Sequence, residues 1–543
     1  MKHLYPKAGR KRWYVGIVAA ILLVAATATG LAVYLTKPAL SASFPTNANG
    51  LNEAKTSEAV VLKNGASYAI DIKPVKRTIA GKSVRMLGYN GMVPGPTITV
   101  HQGDSITLNI KNGLDTDTTI HPHGVNGANS SDGVPDSTQS AIKSGESYQQ
   151  KLTFPDIGLY WYHPHIREDY TQASGLYANF VVLPKDLATW PAVDDWKVLT
   201  LSDIALDSNG IAPFSRTLVD HTLMGRYGTT QLINGTDRYT STVASGTVVR
   251  YFLTNTASVR PFKFTIPNAK LKLIGADNGF YEQEKFVDSV TLAPSERAIV
   301  DVYFPTAGNY TIQNATPDKT YDLGTITATG VAPATSEATT RFNVEQTHAD
   351  VTASMAKYVT KADSAPDKRV SIQLKMDNAL MGMMAGGSGS HMMSDGSMMG
   401  GSSMSGMMDN GSGDGIEWED GMTAMNAKSN TKNLKWSLQD LDSSDGSIDW
   451  KFKKGDVVKI QVTNEGMMHP MQHPIHIHGQ RFIVTAIDGV KQTNLVWKDS
   501  VLIPNGHKYD LVVAMENPGN WLIHCHIPEH MEAGMMGKFS VTN

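Results

Sequence analysis

Val100-x-x-Gly103-Asp104-x-Ile106-x-Leu108-x-Ile110-x-Asn112 reads as a turn feeding a strand. Gly and Asp supply the turn, and the apolar residues after it recur at every second position, the period of a strand with one face on a core. The pattern returns as Phe452-x-x-Gly455-Asp456-x-Val458-x-Ile460-x-Val462-x-Asn464, and again as Val243-x-x-Gly246-Thr247-x-Val249-x-Tyr251-x-Leu253-x-Asn255. A second element recurs towards the end of each unit: Gly158-x-Tyr160-x-Tyr162, Gly308-x-Tyr310-x-Ile312 and Gly519-x-Trp521-x-Ile523. Gly-Asp turns precede strands in any sandwich, which accounts for one match but poorly for all of them. Two elements repeated in one order imply three related β-sandwich domains, at 50–185, 186–345 and 366–543.

Composition agrees. A chain of 543 residues is too long for one core. Its 41% hydrophobic and 18% charged residues are ordinary for a globular protein, Gly and Pro are frequent, and the apolar runs are short and β-branched, so an all-β fold is expected. The net charge of -3, with no Lys/Arg cluster beyond the first dozen residues, gives no reason to expect nucleic acid. One cysteine excludes an internal disulfide. A lone cysteine is commonly just a small buried apolar residue, but the neighbours of this one argue otherwise.

Two segments stand apart from the repeat. Residues 1–13 are a basic leader with Lys2, Lys7, Arg10, Lys11 and Arg12, and 14–35 is an uncharged apolar run of 22 residues. That length spans a bilayer and exceeds an ordinary signal-peptide core, so an N-terminal transmembrane helix is expected, with the basic flank in the cytoplasm. Ala39-Leu40-Ser41 and Ser41-Ala42-Ser43 offer the alternative of cleavage and secretion. Both readings place the remainder outside the cytoplasm, either membrane-anchored or free. Between 376 and 425 lie 13 of the 25 methionines, among Gly, Ser and Asp with no apolar period, which reads as an insert forming a mobile loop. A disordered spacer is the bland alternative.

Ten of the 17 histidines fall in four clusters: His121-Pro122-His123-Gly124, His163-Pro164-His165, His473-Pro474-Ile475-His476-Ile477-His478-Gly479 and His524-Cys525-His526-Ile527-Pro528-Glu529-His530. Residues i and i+2 share a strand face, so each His-x-His pair can offer two imidazoles to one site. One such pair is weak support for a metal, whereas four are strong. His163 and His165 stand where His524 and His526 stand relative to the recurring glycine, while the middle unit has Gln313 and Ala315 there and Phe262-Lys263-Phe264 in place of the other pairs. If units one and three pack together, eight imidazoles converge. They suit copper or zinc, are too many for one ion, and divide among three as two, three and three.

Cys525, His530, Met535 and His473 form a set of another kind: two imidazoles, a thiolate and a thioether, as in trigonal copper sites built for electron transfer. On a strand Cys525 faces one way and His524 and His526 the other, so one tripeptide joins both kinds of site. His3, His101, His221, His348 and His507 need no function, whereas His391 and His469 sit where exogenous copper could reach them.

At these residues, and at Pro94-Gly95-Pro96 ahead of the first repeat strand, the sequence resembles the multicopper oxidase family over nearly all the chain after the N-terminal export segment. The resemblance implies cupredoxin-like Greek-key sandwiches, usually three, and four copper ions. It implies His473, Cys525, His530 and Met535 for type 1 copper, His121 and His476 for type 2, and His123, His163, His165, His478, His524 and His526 for the type 3 pair. It further implies one-electron oxidation of a small reductant coupled to reduction of dioxygen to water. The Met-rich insert resembles that of exported bacterial cuprous oxidases, which implies Cu(I) or phenols as reductant. Met376, Met381, His469 and Met471 match a labile substrate-copper site, with Met381 and His469 in place of the family's carboxylates. Asp132, eleven residues after His121, matches an acid that supplies protons. A second acid is replaced by Met531, leaving Glu529 or Glu532 as substitutes.

Two other classes compete. A copper-sequestering tolerance protein would use the methionines for storage and have only incidental oxidase activity. A copper nitrite reductase shares the cupredoxin fold but has no use for eight paired histidines.

Overall fold

The computed structural model describes residues 42–187, 190–330, 336–385, 413–465 and 471–543, together with the two-residue strands His391–Met392 and Met398–Met399. The expected leader and apolar helix at 1–35 lie outside the described residues. Among the described residues, no helix is long and apolar enough to cross a membrane.

The body from Thr46 to Asn543 is one compact unit built from three pairs of sheets. In the last pair, a six-stranded sheet runs in the order Leu434–Asp440, Lys368–Met376, Val457–Asn464, His507–Ala514, Arg481–Ile487, Val490–Lys491. Its companion runs Asp449–Lys453, Met536–Thr542, Gly519–Cys525, His473–Ile477, Ser500–Ile503. The middle pair repeats both orders strand for strand; in the first pair the six-stranded order is shortened to four strands, and the five-stranded sheet gains the edge strand Ala59–Val61 and lacks a counterpart of Ser500–Ile503. The recurring repeat strands Ser105–Asn112, Val248–Asn255 and Val457–Asn464 each pair parallel with an earlier strand and antiparallel with a later one. A parallel neighbour cannot be reached through a tight hairpin, so each unit crosses between its sheets as a Greek key does. These are three cupredoxin-like sandwiches.

The alternation read from the sequence is borne by burial. Ile106, Leu108 and Ile110 are buried while Ser105, Thr107 and Asn109 are part-exposed, as for a strand with one face on the core. The asparagine closing each repeat has a structural reason. Asn112 Nδ2 donates to the carbonyls of Thr116 and Ile142, Asn255 Nδ2 to those of Arg260 and Leu292, and Asn464 Nδ2 to those of Met471 and Ile503. All three are fully buried, so each amide ties two separate backbone segments together through their carbonyls.

The Met-rich insert is shorter in the fold than in the sequence. Met376 ends a core strand, 378–385 is helical, Ile416 and Trp418 are buried beside Ala293 and Leu502, and Thr423–Asn426 is a helix turn. Both flanks of the segment read as a loop are therefore built into the third unit, because buried Ile, Trp and Met side chains anchor them. Most of the region between them lies outside the described residues.

Candidate metal centre

Two strands from the first unit and two from the third carry the histidine pairs inward. His121–His123 pairs antiparallel with Gly158–His163, setting His121 opposite His163 and His123 opposite Trp161. His473–Ile477 pairs with Gly519–Cys525, setting His476 opposite His524 and Ile475 opposite Cys525. In the middle unit Phe262 and Phe264 occupy the matching strand and fill that unit's own apolar core.

The eight imidazoles gather into three groups whose nitrogens lie within 4.8 Å of one another: His121, His476 and His478; His123, His163 and His526; His165, His478 and His524. Every group mixes residues of the first and third units, so the centre exists only where the two sandwiches meet. A fourth group brings Cys525 Sγ to 3.7 Å from His473 Nδ1 and 3.8 Å from His530 Nδ1, with those two nitrogens 3.2 Å apart. His530 rides on the short helix Pro528–Glu532, whose first residue is a proline that has no amide hydrogen to lose there. Met535 is buried behind it, its carbonyl accepting from Cys525 N and its amide donating to His530 O.

Most rings are aimed from behind. Nδ1 donates to the carbonyl of Asp132 from His121 (2.6 Å), of Pro164 from His163 (2.9 Å), of Asp499 from His476 (2.8 Å) and of Cys525 from His524 (2.9 Å). His478 Nδ1 donates to the Asp132 carboxylate at 2.9 Å. A ring that donates from Nδ1 presents a lone pair at Nε2. His478 Nε2 and His524 Nε2 stand 2.9 Å apart although neither has a proton left to give, so two lone pairs face each other. Nε2 of His121, His163 and His476 is buried without a hydrogen-bond partner.

Burial, then the neighbouring imidazoles, holds His123, His163, His165, His476 and His524 well below the ordinary histidine range, and burial takes His526 down to about 3. Neutral rings with inward lone pairs are what a cation requires of its ligands. Burial pushes the Cys525 thiol up, so this sulfur becomes a thiolate only when a cation displaces its proton. A donor set of imidazole, thiolate and thioether, with few carboxylates, fits copper.

Carboxylates flank the rings. Asp132 is buried; burial alone would raise it, but His478 and His121 outweigh that and keep it ionised. Sequence reading left three neighbours unnoticed. Asp499 Oδ1 lies 3.4 Å from His123 Nδ1 and 3.6 Å from His476 Nδ1, Glu168 Oε1 lies 3.4 Å from His165 Nδ1, and the Trp436 ring packs on both His473 and His530. None belongs to a spaced motif: Asp499 and Trp436 reach the centre through tertiary contact, while Glu168 is a lone carboxylate three residues after His165. Gly479 carried a usable signal, since it follows His478 as Gly124 follows His123. Its φ is +63°, and a Cβ there would stand 2.3 Å from the Trp521 ring.

Of the residues matched to a substrate copper, Met376 and Met471 are buried in the same apolar core as Cys525, Met381 is 38% exposed, and His469 lies outside the described residues. Glu529 is fully buried with neither carboxylate oxygen hydrogen-bonded, and Glu532 is part-exposed.

Three multicopper oxidase family profiles match the chain, at residues 71–187, 198–334 and 419–543. The chain belongs to the multicopper oxidase family. As a member it is a copper-dependent oxidoreductase that uses dioxygen as electron acceptor. Among relatives, this oxidase is 24% identical to Laccase-1 of Botryotinia fuckeliana over 89% of its own length and 83% of that protein's. It is 23% identical to a copper resistance protein A homolog of Pseudomonas syringae pv. tomato, over 88% and 92%. Its fold matches the crystal structure of a multicopper oxidase from Campylobacter jejuni with a TM-score of 0.65 at 23% identity, covering 92% of this chain and 99% of that one.

Proposed function

We propose that the four groups hold four copper ions. His473, Cys525, His530 and Met535 hold type 1 copper, His121 and His476 hold type 2, and the triads His123, His163, His526 and His165, His478, His524 hold the type 3 pair. Bound copper supplies one-electron transfer from the reductant and four-electron reduction of dioxygen to water. The observation that carries this reading is that one tripeptide, His524-Cys525-His526, has its three side chains in three different groups. Its middle residue belongs to the thiolate site and its outer residues to the two triads, so covalent bonds alone connect electron entry to oxygen reduction.

Asp132 is the catalytic acid in this reading. Its carboxylate, 2.9 Å from His478 Nδ1, is the acidic group placed against the histidine centre to pass protons to it. For the reductant we propose Cu(I), and phenols with less selectivity. Soft thioethers favour Cu(I), Met376 and Met471 share a core with Cys525, and the relatives include both a copper resistance protein homolog and a laccase. Met376, Met381, His469 and Met471 remain the candidate substrate-copper residues. The basic leader and apolar run support an extracytoplasmic protein held by residues 14–35 or secreted. Fractionating cells into membrane and soluble extracytoplasmic pools tests this.

Oxygen consumption measured side by side with Cu(I), Fe(II) and a phenol tests the oxidase reading. Uptake with Cu(I) exceeding that with phenol supports it, and Cu(I) binding without oxygen uptake favours a sequestering protein instead.

A further inference from the structure

The middle sandwich supplies none of the proposed copper ligands, yet one of its side chains reaches the histidines through a single intermediary. Arg297 opens the strand Arg297–Tyr303 and is fully buried. Its Nη1 and Nη2 donate to the two carboxylate oxygens of Asp499, at 2.6 and 2.5 Å. The fork is itself held: Nε donates to Leu159 O at 2.9 Å, Nη1 also to Ser295 O at 3.1 Å, and the backbone amide to Asp277 Oδ1 at 2.8 Å. A single guanidinium therefore touches the first, second and third units.

Asp499 passes that placement on. Its Oδ1 lies 3.4 Å from His123 Nδ1 and 3.6 Å from His476 Nδ1, its backbone carbonyl accepts from His476 Nδ1 at 2.8 Å, and its carboxylate forms a metal-ligand-like group with those rings. His123 comes from the first unit and His476 from the third, and their rings stack at 3.8 Å. Gly124, following His123, has φ +83°, and a Cβ there would fall 2.3 Å from Asp499 Oδ2 and 2.7 Å from Arg297 Nη2. The glycine of the His121-Pro122-His123-Gly124 motif is thus what admits the pair beside the rings.

We propose that Arg297 is a positioning residue for the histidine centre: by clamping Asp499 in bidentate fashion it fixes His123 and His476, one ligand from each flanking sandwich, and so makes the middle unit part of the copper site. This rests on the ligand assignment above. A planar fork holding both oxygens sets the carboxylate's orientation as well as its place, which a lysine ammonium does not. The neighbours that orient metal-ligating histidines are worth about 10- to 100-fold in metal affinity.

Arg250 provides the control. It is equally buried in the same sheet and pairs with Asp301 in the same bidentate way, at 2.8 and 2.9 Å, and neither residue lies in any of the histidine groups. The test compares holoenzyme of wild type, Arg297→Lys, Asp499→Asn and Arg250→Lys after dialysis against a graded copper chelator. Copper per chain is read together with the blue absorbance of the Cys525 site and the paramagnetic resonance of Cu(II). Arg297→Lys and Asp499→Asn are expected to release cluster copper at about 10- to 100-fold lower chelator concentration while keeping the blue band, with Arg250→Lys like wild type. Asp499→Asn changes no volume, so it reports even where Arg297→Lys fails to fold. Release at wild-type concentration from Asp499→Asn, or equal loss of blue band and cluster copper in it, overturns the proposal. Wild type that holds no copper beyond the blue site overturns the ligand assignment instead.

Discussion

His524 and Cys525 are joined twice: by their peptide bond, and by the hydrogen bond from His524 Nδ1 to Cys525 O at 2.9 Å. The imidazole of one metal group is thereby tied to the backbone of the residue whose sulfur belongs to another. Replacing Cys525 by Ser leaves this link and the strand pairing intact but removes the sulfur. Blue absorbance and oxidase turnover are expected to vanish together, while the unfolding free energy of the copper-free protein changes by no more than about 2 kcal/mol. Chemical denaturation followed by intrinsic fluorescence checks the second part.

Asp132 orients two rings from different sandwiches, His121 through its carbonyl and His478 through its carboxylate. In Asp132→Ala the backbone bond survives and the carboxylate bond does not. Cluster copper affinity is expected to fall about 10- to 100-fold. At full copper loading, oxygen reduction is expected to slow while reduction of the blue site by substrate keeps its rate, which rapid-mixing absorbance separates.

The copper-free protein has titrating groups that pull in opposite directions. Seven imidazoles, of His123, His163, His165, His476, His478, His524 and His526, are lowered chiefly by burial. Below pH 6.5 the unfolded chain therefore binds more protons than the folded one, and stability falls as pH drops towards 3. Burial raises Glu529 to about 8, Glu532 and Glu417 to about 7, and Glu168, Asp203 and Asp420 above the ordinary carboxyl range, so each favours the folded state less as pH rises from its ordinary value to its own folded value. Each group contributes at most about 1.4 kcal/mol per pH unit inside its window, and above pH 6.5 only the carboxyls still pull, while below it the seven histidines outweigh them. A stability maximum near neutrality is expected, with the steeper limb on the acid side. Glu529→Gln flattens the alkaline limb, as unfolding curves at several pH values would register.

Much of this was legible because it is periodic. The three repeats announced three sandwiches, and the His-x-His pairs lay at matching distances from Gly158 and Gly519 in the two units that carry them. What stayed hidden depends on tertiary contact. Nothing near Arg297 or Asp499 marks them, because the guanidinium meets its carboxylate 202 positions away and neither repeats in the other units. The extent of the Met-rich insert was overread for a related reason: Ile416 and Trp418 pack against Ala293 and Leu502, which adjacent composition does not foretell.

That packing sets the right boundaries for testing the insert. Trp418 O accepts from Arg260 at 3.1 Å and Glu417 O accepts from Tyr227 Oη at 2.8 Å, so a deletion reaching 421 would strip contacts with the middle unit. Replacing 386–412 by a short Gly-Ser linker spares them. Cu(I) oxidation is expected to fall markedly while turnover of a small phenol persists or rises, as parallel steady-state rates would report. Equal effects on both substrates would argue against a substrate role for the insert.

In the proposed function, electrons enter singly at Cys525 and leave together at the histidine centre. The most direct measurement is the ratio of one-electron reductant consumed to dioxygen consumed by fully copper-loaded protein, with hydrogen peroxide assayed in the same vessel. Four reductant equivalents per dioxygen and no peroxide are predicted; two equivalents with stoichiometric peroxide would contradict it.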